Sequence, residues 1–136
     1  MSNTPRYTLG KTERLKSRKA IEQLFKGGKS FSLFPFRILY SIAATETNNL
    51  QSGFSASAKR FKKAVDRNRI KRLIREAYRL QKNDLQIKTA AQSIQLHIFF
   101  IYVGNELPEY DVVFEKMTAV LKRLTKIIDE NGKTNS

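Results

Sequence analysis

A chain of 136 residues, 40% of them hydrophobic, is long enough for one domain around a single core and too short for two. Its 26 lysines and arginines against 12 acids leave a net charge of +14, and a compact state that repels itself so strongly calls for a partner of opposite sign. The absence of cysteine excludes disulfides and thiolate metal sites.

Residues 1–13 are polar, carry Pro5 and Gly10, and are expected to form a flexible arm. Ser17 is placed to cap a helix over 18–26, with Ile21, Leu24 and Phe25 on one face and Gly27-Gly28 to stop it. Residues 29–43, rich in Phe, Leu and Ile, predict strand, interrupted at Pro35 because proline cannot donate to a ladder. A turn cluster at 45–49 leads to another strand over 50–57. A basic loop at 59–63 precedes a helix over 65–81, in which Ile70, Leu73, Ile74, Ala77 and Leu80 recur at the helical period. A polar link, 82–93, leads to a strand over 94–103. Asp111 is placed to cap the last helix, with Val113, Met117, Val120, Leu121, Leu124 and Ile128 in one stripe, and residues 131–136 read as a disordered tail. The order αβββαβα predicts an α+β two-layer sandwich, helices against a mostly antiparallel sheet, in one domain over 14–130.

The most informative stretch is the basic loop and helix. Lys59, Arg60, Lys62 and Lys63 occupy the loop, and Arg67, Asn68, Arg69, Lys71, Arg72 and Arg75 follow on the helix. At intervals of four, Arg67, Lys71, Arg75 and Arg79 are expected to share a face with Asn68 and Arg72 beside them, and Arg69 to lie near the buried edge. Like charges at that spacing disfavour a free helix, so the array does not serve helix stability. The apolar stripe anchors the helix to the core and turns the cations outward. Guanidinium forks grip phosphate at two points, and asparagine bonds a base edge or a sugar hydroxyl. Only Asp66 and Glu76 interrupt the positive charge, which favours a nucleic-acid partner, a folded RNA above all, over an unpartnered solvated face.

Catalytic patterns are lacking. Asp66, Asp84, Glu106, Glu109 and Asp111 are scattered, His97 is the only histidine, and no Gly-rich phosphate loop or nucleophile elbow occurs. No catalytic residue, metal site or small-molecule substrate is expected on this chain.

The run Gly53-Phe54-Ser55-Ala56-Ser57, the Lys/Arg loop, and Ala64-Val65-Asp66-Arg67-Asn68-Arg69-Ile70-Lys71-Arg72-Leu73-Ile74-Arg75-Glu76-Ala77-Tyr78 closely resembles the signature of the bacterial ribonuclease P protein subunit family. Arg14-Leu15-Lys16, Phe25 and Gly28-Lys29-Ser30 extend the resemblance upstream. It departs in a loop one residue longer before Ala64 and in Ile21, where an aromatic is common. The resemblance implies a four-stranded sheet with three helices and a left-handed βαβ crossover, like ribosomal protein domain 2. It also implies that the Arg67-Asn68-Arg69 helix docks on ribonuclease P RNA. A cleft between the first helix and the sheet would hold the single-stranded 5′ leader of precursor tRNA. Hydrolysis would belong to the RNA subunit, which would hold most of the Mg²⁺.

Single strands are gripped by basic grooves lined with aromatic rings, since every base has a stackable face. Phe25, Phe36 and Tyr40 are the expected leader-cleft rings, with Phe34 beside them if no bulge intervenes, and Lys29 and Arg37 supplying charge. Phe25 and Tyr40 also match family positions for leader contact. A structural ribosomal RNA-binding protein is the alternative with the same charge logic. Residues 1–10 lack the apolar stretch of a secretory signal, and the longest apolar run, 98–103, cannot span a bilayer, so a cytoplasmic location away from membranes is expected.

Overall fold

The computed structural model describes residues 13–44 and 50–134. The first twelve residues of the arm expected over 1–13, the turn cluster at 45–49 and the last two residues of the expected tail lie outside this range, whereas Glu13, the last residue of that arm, is described and pairs with Lys82. The elements are α1 (Arg18–Gly27), β1 (Lys29–Leu33), β2 (Phe36–Ala44), β3 (Leu50–Ala56), α2 (Ala64–Gln81), α3 (Asn83–Ala91), β4 (Ile94–Tyr102) and α4 (Tyr110–Thr134). The four strands form one sheet in the order β1-β2-β4-β3. The β1/β2 and β2/β4 pairs are antiparallel, whereas β3 and β4 run parallel and are joined through α2 and α3. A parallel pair needs such a crossover because a tight turn cannot return the chain to the same end of the sheet.

Local chemistry accounts for the boundaries. The Ser17 side chain accepts from the Ala20 amide at 3.2 Å, satisfying one of the orphan donors of α1. At its other end the Gly28 amide bonds to the Leu24 carbonyl, and a Cβ at Gly28 would stand 2.6 Å from that oxygen. Glycine is required there by close approach. Pro35 sits in the turn between β1 and β2, so the missing donor falls outside both ladders.

The β4 residues alternate. Ile94, Leu96, Ile98, Phe100 and Tyr102 are buried, and their intervening neighbours are half-buried. The buried set meets Phe36, Ile38 and Tyr40 of β2, Ile70, Ile74, Ala77 and Tyr78 of α2, and the stripe Val113, Met117, Val120, Leu121, Leu124 and Ile128 of α4. Phe54 stacks on Phe100 at 5.4 Å, and the Tyr78 ring meets both. The Tyr78 hydroxyl accepts from Ser52 Oγ at 2.7 Å, which satisfies both buried groups. Burial pushes the Tyr78 phenol well above its ordinary range. The α2 stripe is rotated from the expected one: Tyr78 is in the core and Leu80 is exposed.

Two further expectations are corrected. The polar link expected at 82–93 contains a fourth helix, α3. It has no apolar stripe to announce it; Leu85 and Thr89 are buried on one side while Ile87 is exposed on the other. Polar contacts fasten its ends: the buried Lys82 ammonium pairs with Glu13, and Lys88 pairs with Asp129 of α4. The last helix begins at Tyr110, which places Asp111 in its first turn, where a carboxylate still complements the helix dipole; it continues to Thr134, beyond the expected limit at 130. Among the described residues no helix is long and apolar enough to cross a membrane.

Candidate nucleic-acid interface

The basic loop is held by one apolar anchor. Phe61 is buried against Tyr102, with ring centroids 5.9 Å apart, and its amide bonds to the Ser57 carbonyl at 2.9 Å. Around this anchor Lys59, Arg60, Lys62 and Lys63 are exposed. Arg60 donates to the Asn105 side chain.

The helix that follows does not present its cations in a line of four-residue steps. Each such step overshoots a full turn by about 40°, so Arg67, Lys71, Arg75 and Arg79 spiral from the core side to the solvent side. Arg67 lies about two turns before Ile74 and shares its inward direction. Its guanidinium donates to the Phe61 carbonyl at 2.7 Å and the Lys62 carbonyl at 2.9 Å, fastening the loop to the helix. Arg79 is paired with Glu76, and this pairing pulls the Glu76 carboxyl below its ordinary value. Lys71 is half-buried. The outward comb consists of Asn68, Arg69, Arg72 and Arg75, all exposed. Arg69, expected near the buried edge, belongs to this comb because the core stripe is centred on Ile70, Ile74 and Tyr78, on the other side of the helix. The Arg75 guanidinium lies 5.9 Å from the centroid of the Phe54 ring.

A second surface lies on the opposite side of the sheet, beneath α1. Phe25 meets Phe99 edge-on at 5.6 Å and remains 56% exposed. Register puts Phe99 beside Leu39 and Gly53. A Cβ at Gly53 would come within 2.7 Å of the Phe99 ring, so the missing side chain makes room for it. Arg37 and Ser41 are exposed on the same alternation of β2, and His97 is half-buried across from Ser41. The Gln95 amide nitrogen is 2.7 Å from His97 Nε2, and burial pulls the imidazole below its ordinary value of 6.5.

Of the four residues expected in the cleft, only Phe25 lies on the surface beneath α1. Phe36 is wholly buried against Tyr102. Tyr40 packs on Phe31 at 5.9 Å and faces α4. Lys29 is the cross-strand partner of Tyr40 and shares its face. Strand alternation groups Phe36 and Tyr40 correctly, but that face is the core, because α2 and α4 cover it while α1 covers the other. Phe34 is 70% exposed in the β1–β2 turn. The ring that sequence reasoning missed is Phe99, which lies one residue out of phase with the buried set of β4 and is thereby directed to the α1 side. Among the described residues no three potential metal-ligating side chains converge.

Comparison with known proteins identifies the family. The ribonuclease P family model matches residues 9–125. The ribonuclease P protein component of Porphyromonas gingivalis is 36% identical over 136 residues, covering 99% of each chain, and that of Chlorobium phaeobacteroides is 28% identical, covering 91% of this chain and 92% of its own. Among solved structures, the RNase P protein of Thermotoga maritima superposes with a TM-score of 0.62 at 28% identity, covering 82% of this chain and 96% of its own. That of Staphylococcus aureus gives 0.63 at 24% identity, covering 84% and 96%, a likeness of fold. The chain belongs to the ribonuclease P protein family, the protein component of a ribonuclease whose catalytic RNA does the cutting.

Proposed function

We propose that this chain docks on ribonuclease P RNA through the loop Lys59, Arg60, Lys62, Lys63 and the helix comb Asn68, Arg69, Arg72, Arg75, and that it holds the 5′ leader of precursor tRNA in the cleft under α1. Arg67 and Lys71 contribute from the flank, Arg67 chiefly by holding the loop in place. Phe25 offers the exposed ring for a base to stack on, Phe99 supports it from the sheet, and Arg37 supplies charge to the strand's phosphates. Mg²⁺ belongs in this scheme mainly to the RNA. The protein's part is electrostatic: its cations lower phosphate repulsion and so reduce the Mg²⁺ the RNA needs to fold and cut. It acts where that RNA acts, in the cytoplasm.

The observation that carries this proposal is the comb itself. Asn68, Arg69, Arg72 and Arg75 are all exposed, and among the described residues none of them meets a carboxylate. Such an array on a rigid helix fits phosphates at fixed spacing. The test is reconstitution with a ribonuclease P RNA and a precursor tRNA across a Mg²⁺ series. The native chain is expected to shift cleavage to lower Mg²⁺, and Arg69→Gln/Arg72→Gln/Arg75→Gln to lose most of that shift. A folded triple variant that lowers the Mg²⁺ requirement as well as the native chain does would overturn the docking assignment.

A further inference from the structure

Tyr40, turned away from α1, lies in a groove of its own. This groove, about 540 Å³, runs between the β1–β2 edge of the sheet and the C-terminal half of α4, on the face opposite the leader cleft. Phe31 and Tyr40 form its floor, Lys122, Arg123 and Lys126 its far wall, and among the described residues Glu130 is the one acid that lines it. The Arg123 guanidinium is laid on the Phe31 ring, 4.7 Å from the centroid, which fixes its plane without neutralising its charge. Among the described residues no carboxylate pairs with Lys122, Arg123 or Lys126, and the Tyr40 hydroxyl has no hydrogen-bond partner. Lys29, across the ladder from Tyr40, lines an adjoining hollow that Tyr40 also borders.

The geometry points to a second RNA-phosphate site in this groove, formed by Arg123, Lys122, Lys126 and the Tyr40 hydroxyl and separate from both the α2 comb and the α1 cleft. A guanidinium held flat by a ring and an unpartnered phenolic donor beside it suit the oxygens of a phosphodiester. The two rings are almost wholly buried, so they offer little of their own surface to a lipid or a hydrophobic peptide. With three cations to one carboxylate it attracts a polyanion, and the chain's charge of +14 adds long-range steering.

The test uses the full chain and an unstructured oligoribonucleotide, with affinity followed over a KCl series. It is run in the native background and in one carrying Arg69→Gln/Arg72→Gln/Arg75→Gln, so that a failed comb assignment and a failed groove assignment give different patterns. In either background Lys122→Gln/Arg123→Gln/Lys126→Gln is expected to flatten the salt slope by about 0.7 per lost phosphate contact. Tyr40→Phe, which removes only a hydroxyl and spares the fold, is expected to weaken binding about three- to tenfold. RNA is also expected to protect Lys122 and Lys126 from acetylation. Unchanged slope, affinity and lysine reactivity would overturn the site. Protection by inorganic phosphate but not by RNA would overturn the RNA assignment in favour of a small free anion.

Discussion

Phe99 closes over Gly53, one strand away in the parallel half of the sheet, so closely that any side chain at residue 53 would collide with its ring. The same ring carries Phe25 on its other contact. Strand, neighbouring strand and α1 are thus linked through one aromatic side chain. Gly53→Ala is expected to displace Phe99 and to destabilise the fold by about 1–3 kcal/mol, the usual cost of overpacking. A urea titration measures this. Gly53→Ala/Phe99→Leu, which trims the obstructing ring, should recover part of the loss. An alanine variant as stable as the native chain would show that Phe99 has room to move.

Arg67 and its neighbours on α2 are expected to behave differently although they belong to one motif. Arg67→Gln removes two hydrogen bonds to loop carbonyls at 2.7 and 2.9 Å, so its main effect is on stability and on the order of the loop. A loss of about 1–3 kcal/mol is expected, since these are bonds from a charged donor. Arg72→Gln leaves the fold unchanged and flattens the salt dependence of RNA binding by about 0.7–0.9 log unit per lost phosphate contact. Denaturation and filter binding on the two variants separate the roles. Equal salt slopes for Arg67→Gln and Arg72→Gln would contradict the inward assignment of Arg67.

Much of this arrangement was legible in the sequence, and the misses have specific causes. The α4 stripe, the Ser17 cap and the break at Pro35 each follow from one strong local signal. α3 escaped because Leu85 is its only large buried apolar residue, and its ends are held by ion pairs to Glu13 and Asp129 that are distant in sequence. A four-residue interval turns Arg67 outward only if it runs as a straight line along the helix, which it does over no more than one step. The cleft residues were misplaced for a more basic reason. Alternation says that Phe36 and Tyr40 share a face, but not which face α1 covers. That choice is made by long-range packing, with α2 and α4 taking the side of Ile98 and Phe100.

His97 gives the fold a pH dependence of determinate sign. Burial depresses its pKa in the folded chain below the 6.5 expected when unfolded. The unfolded chain therefore binds the proton more readily. Stability from this group is complete above about pH 6.5 and declines as the pH falls from there through the lower folded pKa. His97→Gln removes the titration while keeping an amide beside Gln95. The variant is expected to show a flatter stability curve on the acid side of pH 6.5, measured by urea midpoints at stepped pH. Parallel curves for the two proteins would rule out His97 as the source.

Phe25 and Phe36, both expected from sequence as stacking rings, provide the sharpest contrast. Phe36 is wholly buried among Tyr102 and the core, so Phe36→Ala should cost about 3–5 kcal/mol of stability by opening a cavity. Phe25 is more than half exposed and meets the Phe99 ring edge-on, so Phe25→Ala should cost far less stability. Its effect is expected in leader binding, about 1–3 kcal/mol for one lost base stack. Comparing precursor tRNAs with and without a leader isolates that term, because only the leader-bearing substrate should distinguish Phe25→Ala from the native chain. If both substrates bind the variant as they bind the native protein, the surface under α1 is not where the leader lies, whatever the comb on α2 does.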